Sequence, residues 1–313
     1  MRHPGFVPDA REAFDPYRAK RGRALSQIRG LPCLADVRVG APDPAAGVAG
    51  VRLEAESANS QQRTETVMKI VVVGGTGLIG SQVVASVRGN GHEAVAAAPS
   101  TGVDTLTGKG LAEALKGADV VVDVSNSPSF EADAALDFFT RSAHNLIEAE
   151  KEAGVRHHVV LSIVGVDQVP DYGYYRAKVA QEEAVRGSGV PYSIVRATQF
   201  FEFIAPVMNM STEGTEVHLP SRRLRPIASA EVAAAVADAA QGEPSNGVRD
   251  IAGPEVHRLD RLAEITLAVK PDGRTVVTDE TAGLFASMPD GVLIGDDTTH
   301  LAPTRYEDWL EQS

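Results

Sequence analysis

The chain has 313 residues, 43% of them hydrophobic, enough for one large α/β domain with a substrate lobe or for two modest domains. Its 42 Asp and Glu against 30 Lys and Arg give a formal charge of −12, which argues against nucleic acid as a partner. The single cysteine, Cys33, excludes an internal disulfide framework, and no run of about 18 apolar residues offers a membrane span. With no apolar leader segment, and with Asp9, Glu12 and Asp15 near the start, the expected setting is the reducing cytoplasm.

Residues 1–67 are rich in Arg, Ala, Pro and Gly, and stretches such as Ala41-Pro42-Asp43-Pro44-Ala45-Ala46-Gly47 hold neither a strand nor a helix period. They read as a disordered N-terminal extension; the rival reading is a helix over 10–29 that docks on the domain. Met68-Lys69 stands immediately before the first strand, so Met68 reads as the biological start. The folded part is then 68–313, with a C-terminal substrate-binding part from about 199.

From Lys69 onward, apolar runs of strand length alternate with helical patterns, the signature of βαβ units and a parallel sheet. Ile70-Val71-Val72-Val73 is a buried strand, and Ile79, Val83, Val84 and Val87 recur at helical spacing before Gly89 and Gly91. Ala94–Ala98 is the next strand, Leu111 to Gly117 a short helix and its cap, and Val120–Val124 a central strand. A helix over Ala134–Ala153 ends at Gly154, and His158–Leu161 follows as a strand. After a helix at about 174–186, Tyr192–Arg196 reads as a sixth strand. Beyond Thr198 the pattern is less regular, with helices at Ala230–Ala240 and around Tyr306–Leu310. The fold class is therefore α/β: a Rossmann-type doubly wound parallel sheet with a small C-terminal substrate lobe.

Gly74-Gly75-Thr76-Gly77-Leu78-Ile79-Gly80 lies between the first strand and the first helix. In that context three spaced glycines permit a tight turn, close approach of backbone to a pyrophosphate, and close packing of helix on sheet. The helix N-terminus adds free N–H groups and a positive dipole end for phosphates, so the seven residues form a dinucleotide-binding loop. The bland reading is a strand-to-helix turn with no ligand.

Tyr174 and Lys178 stand four apart on a helix, which puts both side chains on one face. A neighbouring ammonium would lower the phenol pKa toward working pH, so that Tyr174 could exchange a proton with a carbonyl or hydroxyl. Gln199 and Phe200 follow a strand at the carboxyl edge of the sheet, where substrates bind in open α/β folds. Packing alone would also explain the phenylalanine. His157-His158 has no ligand-spaced partner, so no metal is expected.

With its glycine loop, Pro191-Tyr192-Ser193-Ile194-Val195-Arg196, Phe200-Phe201-Glu202 and Asp250-Ile251-Ala252-Gly253-Pro254, the chain resembles the atypical short-chain dehydrogenase/reductase proteins of the NmrA-like group over about 69–313. The resemblance implies that Ser162 orients a substrate oxygen, that Asn126 is the fourth active-site position, and that Asp104 contacts adenine after the third strand. No acid ends the second strand in Ala96-Ala97-Ala98-Pro99-Ser100-Thr101, which favours NADP(H), with NAD(H) as the alternative. No arginine is present there to grip a 2′-phosphate, so the hydroxyls of Ser100 and Thr101 would substitute. The expected activity is an NAD(P)H-dependent oxidoreductase acting on a small carbonyl, quinone or similar acceptor. A non-catalytic NADP(H) sensor and a nicotinamide-dependent epimerase or isomerase are the alternatives.

Overall fold

The computed structural model describes Val67–Ser313. Its first half alternates strands and helices: β1 (Lys69–Val73), α1 (Leu78–Gly89), β2 (Glu93–Ala97), α2 (Leu111–Leu115), β3 (Val120–Asp123), α3 (Ala132–Ala153), β4 (His157–Ile163), α4 (Gly173–Gly187) and β5 (Tyr192–Ala197). The second half holds α5 (Phe201–Met210), β6 (Thr212–Glu213), β7 (Glu216–Leu219), β8 (Arg223–Leu224), α6 (Ser229–Gln241), β9 (Val248–Ala252), β10 (His257–Arg258), α7 (Leu259–Val269), β11 (Thr275–Thr278), β12 (His300–Leu301) and α8 (Tyr306–Gln312). Apart from Val67, the readings of the N-terminal extension lie outside the described residues.

Seven strands form one sheet in the order β12-β9-β5-β4-β3-β1-β2, and every neighbouring pair is parallel. The valine-rich strands are buried on both faces, as a parallel sheet between helical layers requires. Ile70, Val72 and Val122 pack with α1 and α6, whereas Val71, Val73 and Val121 pack with α2 and α3. Alternation of period two thus sends neighbouring valines into two different cores. The chain runs from β1 outward to β2 and returns to place β3 on the other side of β1. That reversal opens a crevice at the carboxyl ends of β1 and β3.

Tyr192–Ala197 is the fifth strand, not the sixth, because no strand forms between β2 and β3. Pro99, Gly102, Gly108 and Gly110 interrupt that stretch. It folds instead as one 3₁₀ turn at Pro99–Thr101 and an isolated bridge between Asp104 and Lys109. Asp104 therefore precedes the third strand instead of following it.

The region beyond Thr198 is more ordered than its sequence pattern suggests. Residues of α5, α7 and α8, including Phe201, Ile204, Leu259, Leu262, Tyr306 and Leu310, share a core of their own with Leu219 and Leu224. Two small sheets, β11-β7-β6 and β10-β8, flank it. No helix among the described residues is long and apolar enough to cross a membrane.

Candidate functional site

The glycine loop leaves β1 at the crevice. Gly74 takes a positive φ of 78°, which an L side chain rarely adopts, and its N–H donates to Ala97 O at 2.9 Å. A Cβ at Gly74 would lie 2.8 Å from Val124 O, and one at Gly75 would lie 2.6 Å from Val72 O. A Cβ at Gly80 would overlap the Gly74 carbonyl. Protein packing alone thus demands three of the four glycines.

Gly77 is different. Its φ of −81° is open to any residue, and the nearest atom to an added Cβ is Gly74 O at 3.3 Å. Gly77 is exposed and caps α1 with no side-chain hydrogen bond of its own. The bare surface over the first turn of α1 is the cradle a pyrophosphate needs, so the loop fits a dinucleotide. Thr76 is exposed, Leu78 half-buried and Ile79 in the core, so of these three only Thr76 and Leu78 reach the cradle side.

At the end of β2, Ser100 Oγ is exposed and lies 3.4 Å from Thr76 Oγ1. The Thr101 hydroxyl is used locally: it accepts from Ala98 N at 2.9 Å and donates to the backbone carbonyls of Ala96 and Ala98. Thr101 fastens the turn, and Ser100 with Thr76 presents hydroxyls at its surface. Asp104 accepts from Leu106 N at 2.9 Å, closing the next turn.

Tyr174 and Lys178 do share a face of α4, but they do not work on each other. The Tyr174 hydroxyl donates to Asn126 Oδ1, and its ring packs edge-on against Phe139 at 5.8 Å and beside Phe130 at 5.3 Å. Burial, helped by Tyr172, pushes the phenol above its ordinary pKa, opposite to the lowering expected from a lysine. The reason lies in where the lysine points. Lys178 is 4% exposed, donates to Leu161 O at 2.8 Å and to Gln181 Oε1, and lies 4.6 Å from the Phe139 ring centroid. Burial lowers its pKa to about 8 against the pull of Asp123 and Glu182.

Gln181 and Asp123 complete the set and carry no motif. Gln181 donates to Asp123 Oδ2 at 2.8 Å, and Asp123 Oδ1 accepts from Ser125 N at 2.9 Å. Ser125, Asp123, Gln181 and Lys178 therefore form one hydrogen-bonded circuit between α4 and the β3 exit, and the Tyr174–Asn126 bond is a second link beside it. Ser162 lies elsewhere. It is 4% exposed beneath α4, beside the Glu182 carboxylate but short of a well-formed hydrogen bond. Glu182 in turn holds Arg196 through two bonds of 2.8 and 2.7 Å.

Gln199 Nε2 is 3.4 Å from Tyr175 Oη, and Phe200 is half-buried against the α1 and α6 core. Phe201 is core at 2% exposure, and Glu202 accepts from Ser229 N at 3.2 Å, capping α6. Among the described residues, no group of three or more His, Cys, Asp or Glu could hold a metal ion.

The profile of the family described as NAD(P)H-binding matches residues 74–243. The (4-alkanoyl-5-oxo-2,5-dihydrofuran-3-yl)methyl phosphate reductase of Streptomyces griseus is 32% identical over 145 residues, covering 42% of this chain and 48% of its own. The divinyl chlorophyllide a 8-vinyl-reductase of Cucumis sativus is 29% identical over 221 residues, covering 59% and 52% respectively. The chain spans about half the length of these curated relatives. The structure of an NADPH-dependent quinone oxidoreductase from Escherichia coli, complexed with NADPH, shares the fold at a TM-score of 0.56 and 21% identity, over 67% of this chain and 78% of that one. With the profile beginning on the glycine loop and covering more than half of its residues, the chain belongs to the NAD(P)H-binding family.

Proposed function

We propose that the protein is an NADPH-dependent reductase of a small carbonyl, quinone or similar acceptor. The observation that carries this reading is the open face at Gly77, beside three glycines that packing explains by itself. Two of the curated relatives are named as reductases, in agreement with it, while others are named as photosystem II assembly factors. When bound, the nicotinamide supplies a hydride. The backbone N–H groups of the first turn of α1, from Leu78 to Gly80, would hold the pyrophosphate, and the hydroxyls of Ser100 and Thr76 would face the adenine ribose. The absence of an acid at Ala96–Ala98 favours the 2′-phosphate of NADPH over the free hydroxyl of NADH.

Tyr174 is the proton donor in this reading. Its raised pKa keeps the phenol protonated across the neutral range, which suits delivery of a proton to a nascent alkoxide. Asn126 orients the hydroxyl, and residues from about 199 supply the substrate side. Lys178 acts from beneath, through the circuit that fixes α4 to β3. Its burial is also the one observation that favours a second reading, a non-catalytic NADPH sensor. The test is consumption of NADPH against a panel of quinones and aldehydes. Turnover with at least one of them is expected, and tight NADPH binding without turnover on any would put the sensor in its place.

A further inference from the structure

Arg225 follows β8, and its backbone is pinned where the chain leaves β5. Thr198 Oγ1 donates to Arg225 O at 2.6 Å, Arg225 N donates to Leu293 O at 3.2 Å, and Ile227 N donates to Gln199 O at 2.9 Å. Thr198 and Gln199 come directly after Ala197, the last residue of β5, so the arginine is rooted at the carboxyl edge of the sheet. The turn after β9 packs tightly on the same segment, since a Cβ at Gly253 would overlap Pro226 O.

The side chain is half-buried, and its Nε is shut off from solvent with no hydrogen-bond partner among the described residues. Its neighbours in sequence have acids: Arg222 reaches Glu280 at 3.6 Å and Arg223 reaches Asp290 at 2.9 Å. Among the described residues Arg225 has no such acid. A guanidinium stays charged at any ordinary pH, and desolvating it without a counter-charge is costly. Its planar fork matches the paired oxygens of a carboxylate or phosphate. In a chain of net charge −12, an arginine with no acid partner among the described residues, rooted at the carboxyl edge of the sheet, is a local exception that favours an anion.

The site is not the one offered to the adenine ribose. Ser100 lies beyond β2 at one edge of the sheet, whereas β5 stands three strands from β1 on the other side, about 14 Å away at ordinary strand spacing. We propose that Arg225 binds an oxyanion, a carboxylate or phosphate group carried by the acceptor substrate. This rests on the reductase reading, because it places the acceptor on the β5 side of the crevice.

The full chain, saturated with NADPH so that the glycine loop is filled, would be titrated calorimetrically with inorganic phosphate and separately with benzoate. At least one should bind, and Arg225→Gln should weaken it by about tenfold or more while NADPH affinity stays within about twofold. Preference for phosphate assigns a phosphate ester as the substrate group, and preference for benzoate a carboxylate. Arg225→Lys, which keeps the charge and loses the fork, should fall between, and it decides the matter if Arg225→Gln does not fold. Equal binding by wild type and variant, or binding of neither probe to the NADPH-loaded protein, overturns the proposal and leaves the reductase reading standing. Failure of NADPH to bind the wild type overturns both.

Discussion

The Gln181 side chain joins Lys178 to Asp123, accepting from the ammonium and donating to the carboxylate at 2.8 Å. All three are buried, so neither charge has water to turn to if the amide is removed. Gln181→Leu should lower stability by about 2–4 kcal/mol, the usual loss when a buried charge is left without its partner. Urea unfolding at neutral pH measures it. A loss under about 1 kcal/mol would mean that Lys178 and Asp123 find each other directly.

Two glycines three positions apart should answer substitution in opposite ways. Gly80→Ala drives a methyl into the Gly74 carbonyl and should unfold or strongly destabilise the chain. Gly77→Val meets only one close atom, Gly74 O at 3.3 Å from its Cβ, so the melting temperature should fall far less than in Gly80→Ala while NADPH affinity drops at least tenfold. Calorimetric titration alongside thermal melts separates the two. Unchanged affinity in Gly77→Val would remove the loop as the pyrophosphate site.

What the sequence disclosed were features with a local cause. The Ile70–Val73 run, the spaced glycines and the αL cap at Gly154 each follow from the residues beside them, and all stand where they were expected. The strand count differs by one because Pro99 and the left-handed backbone of Gly102, Gly108 and Gly110 keep the stretch between β2 and β3 from pairing into the sheet. The circuit behind Lys178 was invisible because Gln181 meets Asp123 across 58 positions of chain. The sign of the Tyr174 shift failed for the same reason: helical spacing brought Lys178 to the right face, and distant Leu161 and nearby Gln181 then claimed its protons. Arg225 carries no pattern at all. Its meaning appears only when the acids around its neighbours are seen to be missing around it.

Tyr174→Phe removes the hydroxyl that Asn126 accepts from and keeps the ring against Phe130 and Phe139. Turnover on any acceptor reduced by the wild type should fall about 10²-fold with cofactor affinity unchanged. Because burial holds the phenol above its ordinary pKa, wild-type reduction should also show no loss of rate from tyrosine ionisation between about pH 6 and 9. A basic limb in that window, absent from Tyr174→Phe, would show a phenol lowered instead of raised. Full activity in the variant would mean that solvent protonates the product, as quinone chemistry permits.

His157 and His158 should govern opposite ends of the stability profile. His157 bonds Ser193 Oγ at 2.9 Å, and burial, reinforced by the neighbouring His158, pushes its pKa from 6.5 down to about 4. Between those values the unfolded chain takes up a proton that the folded chain refuses, so stability contributed above pH 6.5 is lost as pH falls toward 4. The shift corresponds to about 3 kcal/mol at most. His158 behaves in reverse: burial opposes its charge, but the Glu150 carboxylate at 2.7 Å outweighs burial and raises the pKa. Its contribution is complete below pH 6.5 and fades as pH climbs through the raised value. His157→Gln keeps a hydrogen-bonding group for Ser193 and removes the titration. Its urea midpoint should therefore fall less than that of the wild type between pH 6.5 and 4, while above pH 7 the two profiles run parallel. Parallel profiles on the acid side as well would assign the acid loss to carboxylates such as Asp119, whose pKa is held down by the Lys69 backbone N–H and by Arg156.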